Sequence, residues 1–369
     1  MHEIALFPAS MNSEISVVIP AHNRAHLIGE TLRSLLNQTL AADEIIVVDD
    51  GSTDDTANSA QAAFTEWSGM KDKGQKSPEF KVIRQENKGP AAARNAGFRV
   101  SKGEFIHFFD SDDLAASNKH ELQLAALKSS GADIAYGPWL KGNFQDGRFH
   151  SSNLVLQQKG LPRGKNEKLI QALLTDWSVV PHACLFRRGI VEKAKLFPED
   201  LMVGEDQFMF LSCLLAGGGV IHSPGTIEFY RLGEPGKVTE SPDWAARRLL
   251  EWARFLLRAR EICVLQGIEP LSWIGYRRRL CEALKDLKKS GIIDEPLMTA
   301  LSKIVSKGID AQICSWHGKC ERLSGGVQQR LSGGRATRSF CFAPITREQI
   351  SLLQELGYHY HPPKRLPWF

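Results

Sequence analysis

The chain has 369 residues, 43% hydrophobic and 24% charged, with a net charge of +4; this supports a large core and excludes a chain disordered throughout. No apolar stretch reaches the roughly 18 residues needed to span a bilayer, and the opening MHEIALFPASMNSE lacks the basic and apolar regions of a secretory signal. Seven cysteines are too few for a disulfide scaffold, so a cytoplasmic, reducing setting is expected.

In chain order, residues 1–13 read as an N-terminal extension. ISVVIP (15–20) is a β-branched run closed by proline, the pattern of a buried strand. AHLIGETLRSLLNQ (25–38) repeats its leucines at helical spacing. EIIVVDDGSTDD (44–55) is a second buried strand running into a turn, with Ser52 or Thr53 as N-cap of the next helix. A polar connection (68–79) leads to the strand KVIRQ (81–85), a Gly-Pro turn, the helix AAARNAGFRVS (91–101) and the strand EFIHFF (104–109). After Asp110, Asp112 and Asp113 come a helix (118–130) and the strand ADIAYG (132–137).

This alternation predicts an α/β fold, a mostly parallel sheet with helices on both faces. Ligands of such sheets bind beyond the carboxyl ends of the strands. Asn23 and Arg24, Asp49 and Asp50, and Asp110 to Asp113 all follow such ends, so three strands deliver polar groups to one rim. Three carboxylates within four positions repel one another, and a hard divalent cation with oxygen ligands, Mg²⁺ or Mn²⁺, offsets that cost. Its remaining positions suit phosphate oxygens, which makes a nucleotide diphosphate the natural partner. The bland alternative, acids that only cap turns, is preferred for Asp55 alone.

Beyond about residue 241 the pattern becomes helical. Residues 247–261 carry Arg247, Glu251, Arg254, Arg258 and Glu261 on one face, and 276–291 end in a basic turn and a glycine. A boundary near Pro242 separates an α/β domain (14–241) from a smaller, mainly helical, basic region (242–369). The latter holds 21 Lys and Arg against 12 Asp and Glu, leaving the first 240 residues net negative by five. Such a region suits a peripheral contact with an anionic membrane or an anionic acceptor; nucleic acid is not expected, because the acidic front would be repelled.

SVVIPAHNRAHLIGETLRSLLNQT, EIIVVDDGSTDDT, NKGPAAARNAGFRVSKGEFIHFFDSDD and GEDQFMFLSCLLAG together resemble the family 2 glycosyltransferases of the GT-A, Rossmann-like fold, over roughly 14–235. The resemblance implies an inverting, metal-dependent transfer from a nucleotide-diphosphate sugar, UDP-linked by preference, to a glycan, glycolipid or glycoprotein hydroxyl. It places Pro20, Ala21, His22 and Asn23 at the nucleotide, with His22 where tyrosine is more usual, and Asp50 at the base. Arg94, Asn95, Ser111 and Asp113 line the nucleotide and sugar, Asp110 and Asp112 hold Mn²⁺ or Mg²⁺, and Asp206 is the general base. A histidine common after Tyr230–Arg231 in the family is absent, leaving Arg231 or Lys237 to meet the diphosphate. Trp139, Trp177 and His182 fall where the family shapes acceptor pockets.

Two other readings stand beside it. A phosphatase whose nucleophile lies in Asp-x-Asp normally carries that motif on its first strand, whereas two β-α units precede it here. A non-catalytic sugar- or nucleotide-binding module is the other, against which the intact DSDD and GED segments argue. The doubled Leu-Ser-Gly-Gly at 323–335 has no accompanying phosphate loop. Cys314, His317 and Cys320 form one cluster without a second ligand group, weak ground for zinc.

Overall fold

A computed structural model describes residues 15–72, 74–151, 155–157, 166–175, 178–233, 244–305, 341–343 and 345–361. The N-terminal extension, Trp177, Lys237, Pro242, the Leu-Ser-Gly-Gly segment and Cys314, His317 and Cys320 lie outside these residues.

The chain opens with β1 (Ile15–Ala21), α1 (Ile28–Leu36), β2 (Glu44–Asp50), α2 (Thr56–Met70), β3 (Glu79–Gln85), α3 (Pro90–Val100) and β4 (Phe105–Phe108). It continues through β5 (Leu114–Ala115), α4 (Lys119–Ser130), β6 (Ile134–Tyr136), β7 (Trp139–Gln145), β8 (Arg148–Ser151) and β9 (Val155–Gln157). Next come α5 (Asn166–Thr175), β10 (Cys184–Arg187), α6 (Arg188–Lys193), α7 (Glu205–Leu215), β11 (Val220–His222) and β12 (Glu228–Arg231). The final part holds α8 (Trp244–Leu265), α9 (Ile274–Ser290), α10 (Glu295–Val305), β13 (Cys341–Ala343), α11 (Arg347–Glu355) and β14 (His359–His361).

The central sheet runs β11-β6-β10-β4-β1-β2-β3. Its β3, β2, β1 and β4 are parallel, and only β10 runs against its neighbours β4 and β6. The expected α/β architecture is therefore present. Alternation within β1 builds both faces: Ile15, Val17 and Ile19 pack with α1 and α2, while Val18 packs with Phe98 of α3. Burying each such side chain contributes about 1.5–3 kcal/mol. α3 lies close on the sheet because Gly97 has no Cβ; one placed there would run into Val18 and approach Val48 Cγ2 to 3.1 Å.

The helical C-terminal part is not packed apart from this layer. Phe255, Leu256, Tyr276, Leu280 and Leu287 of α8 and α9 belong to the same apolar cluster as Phe108, Phe186 and Met209. A second sheet, β13-β9-β7-β12-β5 with β8 and β14 attached, lies beyond the sequence-based expectations. Its β7–β8 hairpin turns at Asp146 and Gly147, both at positive φ (49° and 68°), the geometry that favours an Asp-Gly pair. α2 begins at Thr56, later than a Ser52 or Thr53 cap implies. Asp54 accepts the Thr56 N–H at 3.1 Å there, while Ser52 Oγ accepts from the Asn23 N–H at 2.9 Å.

Candidate active site

Beyond the carboxyl ends of β1, β2 and β4 opens a cleft of about 790 Å³. Its sheet-side wall includes Pro20, Ala21, His22, Arg24, Asp50, Arg94, Asp110, Ser111 and Asp112. Gly204 to Gln207 at the start of α7 and residues of α8 and α9 complete it. Of the residues the family resemblance singles out, the structure brings Pro20, Ala21, His22, Asp50, Arg94, Asp110, Ser111, Asp112 and Asp206 to this cleft.

Trp139, expected at the acceptor pocket, also lines the cleft, whereas Asn23, Asn95 and Arg231 serve as scaffolding and His182 is buried beside Asp110 and Asp113. Asn23 takes a positive φ of 54° and accepts the Thr53 N–H at 2.8 Å, tying the ends of β1 and β2 together. Asn95 is turned away, donating to the Phe197 carbonyl at 2.9 Å and accepting the Phe197 N–H at 3.0 Å. Arg231 is buried outside the cleft lining: its N–H donates to Asp113 Oδ1 at 2.8 Å and its Nε–H to the Asp112 carbonyl at 2.9 Å. Its Nη2 also donates to Glu30 Oε2 at 2.6 Å, and Tyr358 Oη donates to that same oxygen at 2.8 Å. The acidic turn is thus braced from β12, α1 and the C-terminal segment together. Asp50 has a local duty as well, accepting from Gln85 Nε2, the Lys88 N–H and the Gly89 N–H at 2.7–2.9 Å.

The acids of the turn are compensated one by one. Asp112 Oδ2 lies 3.3 Å from Arg24 Nε. Asp110 Oδ1 accepts from Arg94 Nη2 at 2.8 Å, and its Oδ2 faces His182 Nδ1 at 3.1 Å. Asp113 Oδ2 lies 3.3 Å from the same nitrogen. Burial alone would raise Asp110, but Arg94 and His182 outweigh it and hold the carboxyl well below the usual range. Burial pulls His182 down, and Asp113 and Asp110 reverse that, lifting the imidazole above its usual value. Behind it, His107 bonds the His182 carbonyl at 3.0 Å and His120 Nε2 at 3.0 Å. Burial keeps both of these histidines neutral, with His120 lowered to about 3.

Arg94 joins two parts of the site. Its other arm donates to Glu205 Oε1 at 3.1 Å, at the start of α7. Gly204 precedes that helix at φ 81°, a left-handed conformation suited to glycine. Burial and the neighbouring Asp206 charge push Glu205 up to about 7 despite Arg94. Burial also raises Asp206, against the Gln207 N–H that its Oδ1 accepts at 2.7 Å. A carboxylate raised in this way, half-buried at a cleft, is a stronger base than an ordinary aspartate and suits proton abstraction. Lys141 and Arg248 are cleft residues that the sequence did not single out, while Arg24, expected at the rim, does line it. Lys141 Nζ lies 5.0 Å from the Trp139 ring and 4.7 Å from the Tyr230 ring. Arg24 compensates Asp112, and Arg247 and Arg248 reach the far wall.

The donor set fits a divalent cation. One atom each from Asp110, Asp113 and His182 lie within 4.8 Å of one another, two hard oxygens and one imidazole nitrogen. Asp112, the expected second ligand, has its carboxylate on Arg24 instead of in this group.

Residues 16–194 match the family model described as Glycosyl transferase family 2. The chain is 37% identical over 293 residues to glycosyltransferase GlyG of Streptococcus pneumoniae serotype 4, covering 76% of this chain and 89% of that protein. It is 30% identical to an uncharacterized glycosyltransferase of Rickettsia bellii over 54% of this chain, spanning only 26% of that longer protein. In fold it is similar to the mannosyltransferase PcManGT of Pyrobaculum calidifontis, with a TM-score of 0.50 and 17% identity, covering 88% of this chain and 89% of that one.

Proposed function

The chain belongs to glycosyl transferase family 2 and is a glycosyltransferase, and from that premise we propose that it transfers a sugar from a nucleotide-diphosphate donor, UDP-linked by preference, to a glycan or lipid-linked glycan hydroxyl with inversion. One observation carries the reading: Asp206, the acidic turn and Asp50 share a single cleft although they lie on separate segments.

The nucleotide takes the sheet side, its base toward Asp50 and His22 and its diphosphate toward the acidic turn. A divalent cation, Mn²⁺ or Mg²⁺, when bound here would supply Lewis-acid neutralisation of the diphosphate's charge. Asp110 would hold it with Asp113 and His182, whose ligand atoms are already gathered, or with Asp112 in exchange for Arg24. The acceptor enters from the α7 side, its hydroxyl within reach of Asp206. Asp206 takes the hydroxyl proton as the acceptor oxygen bonds to the anomeric carbon and the bond from that carbon to the diphosphate oxygen breaks. A single displacement from the opposite face inverts the centre. Arg94 holds Asp110 and Glu205 in place and so fixes the distance between donor turn and base. The positive surplus of residues 242–369 suits a peripheral contact with anionic lipid; flotation of the full chain with anionic but not with neutral liposomes would support that contact, and no binding to anionic liposomes would remove it.

A panel of nucleotide-sugars with Mn²⁺, read by nucleotide release, tests the reading. Turnover of at least one donor is expected, with losses of about 10²-fold or more in Asp206→Ala, the scale of general-base catalysis. Absence of both binding and turnover for every donor would remove the proposal.

A further inference from the structure

The two walls of the cleft differ in what their cations are doing. On the sheet side, Arg24 is engaged with Asp112 and Arg94 with Asp110 and Glu205. The opposite wall, from α8 and α9, presents Arg247, Arg248, Trp252 and Arg279 to the same cavity. Arg247 and Arg248 are exposed, and among the described residues neither has an ion-pair partner. Arg279 spends its Nε–H on the Thr175 carbonyl at 2.6 Å, one of five donors. Two acids share this wall. Glu282 lies 3.8 Å from Arg278 one helical turn away, which leaves Asp286 as the second. The wall therefore retains a positive excess in a cavity whose other arginines are committed.

This wall adjoins the proposed base. Gly204, two residues before Asp206, sits against Phe255 of α8, and the Met202 N–H reaches Glu251 of α8 at 3.4 Å. Asp206 and these arginines line one cavity, so a molecule bound at Asp206 and extending toward α8 stays within the space they line. Guanidinium groups match phosphate oxygens two at a time, and an indole face stacks against a sugar ring.

Resting on the glycosyltransferase reading, we propose that the acceptor is a phosphate-linked sugar, its phosphate or diphosphate held by Arg247, Arg248 and Arg279 while its ring lies against Trp252. The cation and the sheet wall serve the donor's diphosphate; the helical wall serves a second anion belonging to the acceptor. Two molecules carry that chemistry: a sugar joined by diphosphate to a lipid, and a sugar within a phosphodiester-linked glycan.

Calorimetry on the full chain saturated with UDP and Mn²⁺ tests this with three probes of one sugar. The first is N-acetylglucosamine linked through a diphosphate to an undecyl chain. The second is its phosphodiester with glycerol, and the third its uncharged octyl glycoside. One of the two anionic probes is expected to bind at least tenfold tighter than the octyl glycoside. Preference for the first identifies the lipid-linked source, and preference for the second the phosphodiester. The double variant Arg247→Ala/Arg248→Ala is expected to weaken that probe at least tenfold and UDP less than twofold; Arg248→Lys should retain an intermediate affinity. Equal binding of all three probes overturns the proposal, as does a double variant that weakens UDP as much as the probe. Failure of the wild type to bind any nucleotide would instead strike the donor reading, so the two failures are distinguishable.

Discussion

Replacing Arg94 by methionine is the most informative perturbation of the site's architecture. Arg94 is 5% exposed, with one arm of its guanidinium on Asp110 at 2.8 Å, the other on Glu205 at 3.1 Å, and its centre 5.2 Å from the Phe197 ring. Methionine retains an unbranched apolar stem, so the change removes charge and hydrogen bonds more than volume. Taking one partner from a buried ionic network costs about 3–5 kcal/mol, because the remaining charges lose their compensation. At about 2 °C per kcal/mol, which a long chain implies, the midpoint of thermal unfolding should fall by about 6–10 °C. The sign of the pH dependence follows from the acids. With Arg94 present, Asp110 is held well below its usual range and Glu205 stands at about 7. Without it both rise. At pH 8 the variant must bury Glu205 charged without its cation and Asp110 with His182 as its remaining partner, whereas at pH 5.5 Glu205 is already protonated in either protein. The loss should therefore be larger at pH 8 than at pH 5.5, read by urea unfolding at each pH. A loss under about 1 kcal/mol, or one independent of pH, would refute the reasoning.

The bracing of the acidic turn predicts that Tyr358→Phe, which removes one hydrogen bond to a charged group, weakens UDP–Mn²⁺ binding about 3–10-fold while kcat at saturation stays near that of the parent. In an Arg231→Met background the same change should add nothing, and additive losses would show that Tyr358 does not act through Arg231. Gly97→Ala should cost about 1–3 kcal/mol by overpacking α3 against Val18 and Val48; a stability equal to wild type in urea would contradict that close approach. The raised Asp206 carboxyl predicts that kcat/KM climbs with pH through an acid limb lying above the ordinary aspartate range, since the base must first lose its proton; an acid limb at or below that range would remove Asp206 from that role.

The rim was legible because β-branched runs such as ISVVIP and EIIVVDD end abruptly in polar residues, and parallel sheets place such ends together. The second sheet was harder to read: its strands are short and recruit partners from distant segments, as β7 does from β12 and β8 from β14. One local signal for it, Asp146–Gly147 between WLKGNFQ and RFHS, marks the β7–β8 hairpin and could have been used. Within the site, residue types were visible but their pairings were not. Nothing local announces that Asp112 meets Arg24 across 88 positions, or that His182 faces Asp110 across 72. Asn95 and Arg231 illustrate the same limit from the other side: polar side chains near a motif are spent on backbone groups that only the folded chain brings near them. The separation of a C-terminal region by charge was readable, whereas its sharing of a core with the sheet depends on contacts of α8 and α9 that charge counts do not register.

The most direct test of the central claim is the anomeric configuration of the product, read by proton NMR from an α-linked nucleotide-sugar donor. Attack by an acceptor oxygen deprotonated by Asp206, on the face opposite the departing diphosphate, predicts a β-linked product. An α-linked product would contradict the single displacement and, with it, the role given to Asp206 in this cleft.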